Sequence, residues 1–217
     1  MTRLMTRSRG HAAIAVFCAL WWTPAALGTQ PFSRHIEEGL LDLIDLHVEK
    51  PPENVPIVIR PFASDKADLG TGAEGGKETR TAAAKTLQHE GPGLLAESFL
   101  AEMKKQGVYS EVRIDDASAI ADNALIIEGE FTMIDPGSKA KRYWGGFGAG
   151  KSGLEVKGVV KNAAGQVLAE FRQKRIGVMG VFGGDYEGKL RSDCKSVGED
   201  IAVFLSSWAK GKNLEED

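Results

Sequence analysis

The chain reads as an α+β protein: a mixed, largely antiparallel sheet of about five strands with helices packed on one face. Three observations predict this. Apolar and polar residues alternate through Leu125, Ile127, Phe131 and Met133, through Leu154, Val156 and Val160, and through Val167, Ala169 and Phe171. Three such runs joined in series make an antiparallel meander with one buried and one solvated face. Upstream, a strand-like run, a helical run and a second strand-like run fit one right-handed crossover unit. Downstream, Val197, Ile201, Phe204, Leu205 and Trp208 form an apolar stripe at helical spacing, a cover for the buried face.

Taken in order, residues 1–28 carry the pattern of a signal peptide. Arg3, Arg7 and Arg9 form a basic start, and residues 12–22 an apolar core too short to span a bilayer comfortably. Pro24 breaks that core, and Ala26, Leu27 and Gly28 precede an expected cleavage near Thr29. A retained anchor helix is the alternative. Cys18 follows Phe17, where lipoprotein processing needs a small residue, so lipidation there is not expected. Removing three arginines and no acids from 27 basic and 30 acidic residues leaves a net charge of −6. Such an acidic chain is a poor nucleic-acid binder, because phosphate contacts need excess Lys and Arg. Cys194 would then be the lone cysteine, so the domain depends on its core rather than on a disulfide. No second apolar stretch approaches membrane-spanning length.

Residues 29–54 read as a helical arm, because Ile36, Leu40, Leu43, Ile44 and Val48 recur at helical spacing before Pro51 and Pro52. A single domain is expected over 55–210, with a polar tail at 211–217. Val55-Pro56-Ile57-Val58-Ile59-Arg60-Pro61-Phe62 suits a strand whose prolines favour an edge or an end. Residues 63–92 are rich in Gly, Thr, Lys and Glu and read as a mobile loop, with a helical stretch around 80–88. A helix then starts at Pro92, a good first-turn residue, runs through Leu95, Phe99 and Met103, and stops at Gly107. Residues 108–114 form the next strand, and the meander follows. Asn162-Ala163-Ala164-Gly165 is a tight turn within it.

Gly145-Gly146-Phe147-Gly148-Ala149-Gly150-Lys151-Ser152 fits the phosphate-loop pattern letter for letter. A working phosphate loop opens a helix, whose N-terminal N–H groups hold the phosphates. Here the residues after Ser152 alternate with period two and predict a strand. Other catalytic signals are weak. His35, His47 and His89 show no metal-ligand spacing, no nucleophile elbow occurs, and the S-x-x-K matches at 138–141 and 192–195 lack their companion motifs. No catalytic, cofactor or metal residue is therefore assigned.

Two glycine-aromatic segments remain. One holds Arg142, Tyr143, Trp144, Phe147 and Lys151; the other holds Phe182 and Tyr186. The meander puts both at one end of the sheet, opposite the turn at 162–165. Aromatic and basic side chains among glycines suit a contact surface. Equally, the aromatics fold back as a lid on the core, with glycines shaping the bends.

The residues Leu125-Ile126-Ile127-Glu128-Gly129-Glu130-Phe131, then Asp135-Pro136-Gly137-Ser138, Lys141-Arg142, the glycine segment through Ser152 and the Gly165-Gln166-Val167-Leu168 turn resemble the bacterial domain of unknown function 4410 family. The resemblance implies envelope, lipoprotein-like relatives and a layout similar to the curli-secretion lipoprotein CsgG and the TolB N-terminal domain. It implies no reaction and no catalytic residue. The expected function is a non-enzymatic periplasmic module that binds another envelope component through the glycine-aromatic end, without a cofactor. The alternative is a nucleotide- or phosphate-binding protein using Gly145 to Ser152.

Overall fold

The computed structural model describes residues 32–70, 77–109, 111–137, 152–177 and 186–215, with backbone only at 77–81, 186 and 187. The described fold is α+β, with seven strands rather than about five. The strands are β1 (Arg34–Glu37), β2 (Leu43–Leu46), β3 (Ile57–Ile59), β4 (Val112–Ile114), β5 (Leu125–Asp135), β6 (Ser152–Asn162) and β7 (Val167–Gly177). Two helices join them, α1 (Lys77–Gln106) and α2 (Tyr186–Ala209). The sheet order is β1-β2-β7-β6-β5-β3-β4. Pairing is antiparallel from β1 through β5, and β3 lies parallel to both β5 and β4. The crossover β3–α1–β4 and the meander β5–β6–β7 are thus both present.

One face of the sheet is dry. Leu125, Ile127, Phe131, Val156, Val160 and Phe171 are buried there against Leu87, Leu95, Phe99 and Met103 of α1 and Ile201, Phe204 and Leu205 of α2. Period two in the strands and steps of three and four in the helices meet in one core. Gly129 and Gly158 are cross-strand partners in its middle. A Cβ at Gly129 would lie 2.5 Å from the Phe62 ring, and one at Gly158 would lie 2.5 Å from the Phe171 ring. The missing side chains make room for two aromatic rings to lie on the strand backbone. The helices approach just as closely: a Cβ at Gly198 would meet the Leu95 carbonyl at 2.4 Å and the Ser98 hydroxyl at 2.2 Å.

Three expectations are corrected. The helical arm does not form: residues 34–46 make the β1–β2 hairpin, which adds two strands to the free edge of β7. Glu38 takes φ 54° at the turn, and Ile36, Ile44 and Leu46 reach the core. The helical stretch expected around 80–88 is present but does not stand alone in a loop: it belongs to α1, which runs unbroken from Lys77, and Pro92 lies inside that helix rather than at its start. Residues 63–68 lie parallel to the end of β5 through bridges of Ala63 with Glu130 and of Asp68 with Met133. Finally, the tail is tethered: the Leu40 N–H donates to the Leu214 carbonyl at 2.9 Å, and the Leu214 side chain is only 2% exposed.

Candidate functional site at the glycine-rich end of the sheet

Strand register brings the stems of both glycine-aromatic segments together. Asp135 pairs with Gly153, and Ser152 pairs with Gly177. The segment between β5 and β6 and the segment between β7 and α2 therefore leave from three neighbouring strand ends. The opposite end is closed by the turn at 162–165, where Gly165 takes φ 84° and its N–H donates to the Asn162 carbonyl at 2.9 Å. A third stem, missed by the sequence reading, arrives at the same end. A Cβ at Gly70 (φ 71°) would lie 2.4 Å from the Asp135 carboxylate, so the glycine-containing stretch 71–76 also departs here. The signal was the glycine content of 71–76, but nothing in the local pattern placed residues 63–68 alongside β5.

Arg142, Tyr143, Trp144, Phe147, Lys151 and Phe182 lie outside the described residues. Tyr186 opens α2, and its side chain is not described. Ser152 begins β6, so the phosphate-loop pattern runs into a strand and not into a helix. Its side chain is fully buried, and its hydroxyl donates to the Gly177 carbonyl at 3.3 Å.

Beneath this end, between β7 and α2, runs a part-buried polar layer. Lys189 pairs with Asp193, which is 5% exposed and has one carboxylate oxygen without a partner. Arg175 pairs with Asp200, and the Gln173 amide donates to the same carboxylate at 2.8 Å. The Gln173 side-chain oxygen accepts the Asp42 N–H at 3.0 Å, which ties the β1–β2 hairpin to the layer. These contacts fix the strand stems against α2 and the hairpin.

The opposite face of the sheet carries a groove of about 690 Å³ over Glu128, Glu130, Lys157, Glu170 and Arg172, with Arg60 at one side. Its charges are mostly matched. Arg60 reaches Glu128 at 2.7 Å and Asp115 at 3.2 Å, and Lys157 reaches Glu130 at 2.8 Å. The Lys161 ammonium, and then the Arg60 guanidinium, hold the Glu128 carboxyl below the usual range. Lys157 does the same for Glu130. Carboxylates held ionised by neighbouring cations do not make a general acid poised near neutral pH. Burial pushes the Cys194 thiol up to about 12, which keeps it a protonated core residue rather than a nucleophile. Among the described residues no group of three His, Cys, Asp or Glu side chains is arranged to hold a metal ion. No described helix is long and apolar enough to cross a membrane.

An α+β scaffold whose glycine-rich connections emerge together at one end is therefore what the chain presents. Residues 57–181 match the model of the family Domain of unknown function (DUF4410), and the chain belongs to that family. No curated protein matches it. Among solved structures it is similar to the PelC dodecamer from Paraburkholderia phytofirmans, at 12% identity over 79% of this chain and 96% of that one, with a TM-score of 0.40. A variant of the same PelC dodecamer matches at 13% identity over 79% and 96%, with a TM-score of 0.38. An uncharacterized protein matches at 10% identity over 72% and 95%, with a TM-score of 0.37.

Proposed function

We propose that the chain is an exported, non-enzymatic binding or assembly module, which meets another component of the cell envelope through its glycine-aromatic end. The observation that carries this reading is the register at Asp135, Gly153, Ser152 and Gly177, which sets both segments at adjacent strand ends. Arg142, Tyr143, Trp144, Phe147, Lys151, Phe182 and Tyr186 belong to segments that start from this one place. A binding surface built from loops on a rigid scaffold is a common arrangement. The contacts of Gln173 and Arg175 with Asp200 tie the stem of β7 to α2.

The test is a triple replacement of Tyr143, Trp144 and Phe147 by Ala. Capture of one defined partner from envelope extract should be lost, while the melting temperature stays nearly unchanged. A melting temperature that falls first would make the aromatics a core lid and reject the contact surface. The export half of the reading has its own check: the cellular protein should begin near Thr29 on N-terminal sequencing. Against nucleotide binding stands Ser152, whose hydroxyl is buried on a strand and already donates to Gly177. Calorimetry with ATP or GTP and Mg²⁺ should register no heat of binding. Binding abolished by Lys151→Ala would replace the proposed reading with the nucleotide one.

A further inference from the structure

The sheet has two outer edges, and they differ. β4 is three residues long, and Arg113 is turned away to Asp116 at 2.8 Å and to the Ala119 carbonyl at 3.1 Å. Short edge strands of this kind resist further pairing. Among the described strands β1, four residues long, pairs only with β2, and it carries neither proline nor a bulge.

The register fixes which of its backbone groups are free. In an antiparallel ladder, residues alternate between exchanging hydrogen bonds with the partner strand and pointing their amides away from it. The Glu38 N–H donates to the Asp42 carbonyl, so the even residues Arg34 and Ile36 bond to β2. The next strand agrees: the His47 N–H donates to the Leu168 carbonyl, so the odd residues of β2 bond to β7. His35 and Glu37 therefore point their N–H and C=O groups outward from the sheet edge. Their side chains lie on the face away from the helices, 52% and 72% exposed, while Ile36 lies in the core.

We propose that β1 is a self-pairing edge, through which a second copy of this chain joins antiparallel about a two-fold axis at Ile36. Among two-fold registers that match outward amides to outward amides, charge selects this one. Shifting the axis to His35 sets histidine against histidine, and shifting it to Glu37 sets carboxylate against carboxylate, which repels. With the axis at Ile36, His35 of each copy, which reaches Glu37 and Asp45 of its own chain, faces Glu37 of the other, so imidazoles and carboxylates alternate across the join. Phe32, just before β1 and on the face of Ile36, is one of two large apolar side chains exposed among the described residues, at 40%. In this register it faces the hairpin turn of the second copy, where half-buried Leu40 sits. The pairing is isologous and closes at two copies. It spans only four residues a side, so the dimer is a weak, reversible one.

Sedimentation equilibrium of the full chain over a concentration series tests this. A monomer–dimer equilibrium is expected. His35→Pro removes an N–H that faces away from β2 and has no partner among the described residues, as edge strands tolerate; it should weaken dimerisation at least about tenfold with little change in melting temperature. Glu37→Lys should weaken it as well, and the pair His35→Glu with Glu37→Lys should restore it, because the opposed charges are then exchanged. A monomer at every concentration overturns the proposal, and so does a dimer that neither single variant weakens. A dimer weakened by the single variants but not restored by the pair overturns the register. This surface is separate from the glycine-aromatic end, so neither reading falls with the other.

Discussion

Pro92 has no N–H to offer the carbonyl of Gln88, four residues earlier in α1. That carbonyl is not left orphaned: the Ser64 hydroxyl donates to it at 2.6 Å, and the Gln88 side-chain amide donates back to the Ser64 carbonyl at 2.7 Å. A serine outside the helix thus supplies the bond that the proline removes. This explains why Pro92 misleads a local reading. Its ring is suited to a first turn, so the sequence suggests a helix start, and the compensating donor lies 24 residues before Gln88 in sequence. Ser64→Ala leaves the part-buried carbonyl unpaired and should cost about 1–3 kcal/mol, the penalty for an unmet polar group. A urea midpoint unchanged in that variant would show that Ser64 does not support the interrupted helix. Ser64→Thr, which keeps the hydroxyl, should retain most of the stability.

The elements that were legible are those whose hydrophobic period agrees with their tertiary environment. In β6 and β7 the alternation holds, because one face meets the helices and the other meets solvent; in β5 Ile126 is buried as well, and a register shift between Phe131 and Met133 sends Ile134 rather than Met133 into the core. The α2 stripe was legible for the same reason. Phe204 is fully buried, stacks on Trp208 with ring centroids 5.8 Å apart, and lies 6.1 Å from Phe171 of β7. Phe204→Ala should therefore lower stability by roughly 3–5 kcal/mol through lost contacts and a residual cavity, read as a fall in the urea midpoint. The β1–β2 hairpin was illegible because Ile36, Leu40, Leu43, Ile44 and Val48 satisfy a helical period by accident. The turn at Glu38 and Gly39 breaks the run, and Ile44 and Leu46 then alternate with Asp45 and His47. The solvated face makes a prediction of its own. The folded-state pKa of Glu128 is depressed by Lys161 and Arg60. Its contribution is fully present above the ordinary glutamate range and disappears as pH falls through the lowered folded value. Denaturation midpoints of the parent should drop between neutral pH and about pH 3, and Glu128→Gln should drop less over that window. Equal losses in the two proteins would assign the acid sensitivity to other carboxylates.

At the scale of the whole molecule, the convergence of glycine-rich stems followed from topology: once three strands form a meander, alternate connections must share an end. What topology could not supply was the closure of the fold by its last residues. The segment 211–217 is polar by composition, and its single apolar residue, Leu214, gives no periodic signal. Yet Leu214 enters the core, its carbonyl accepts the Leu40 N–H, and Glu215 pairs with Arg34 at 2.8 Å. Gly39 belongs to this contact, since a Cβ there would lie 2.3 Å from the Leu214 carbonyl. The C-terminal segment thus fastens the β1–β2 hairpin from the side that the helices leave open, while Trp208 holds the Glu49 carbonyl at 3.0 Å beyond β2. The exposed pair of Arg34 and Glu215 adds little, as surface ion pairs do, so the apolar anchor dominates. Leu214→Ala should cost about 2–5 kcal/mol, and hydrogen exchange should accelerate first at the amides of β1 and β2, because the hairpin is the element that loses its clamp. Glu215→Gln should leave both readouts nearly unchanged. Uniform acceleration across β5 and β6 in the Leu214 variant would instead mean that the residue is an ordinary part of the global core and that the hairpin has no separate fastening.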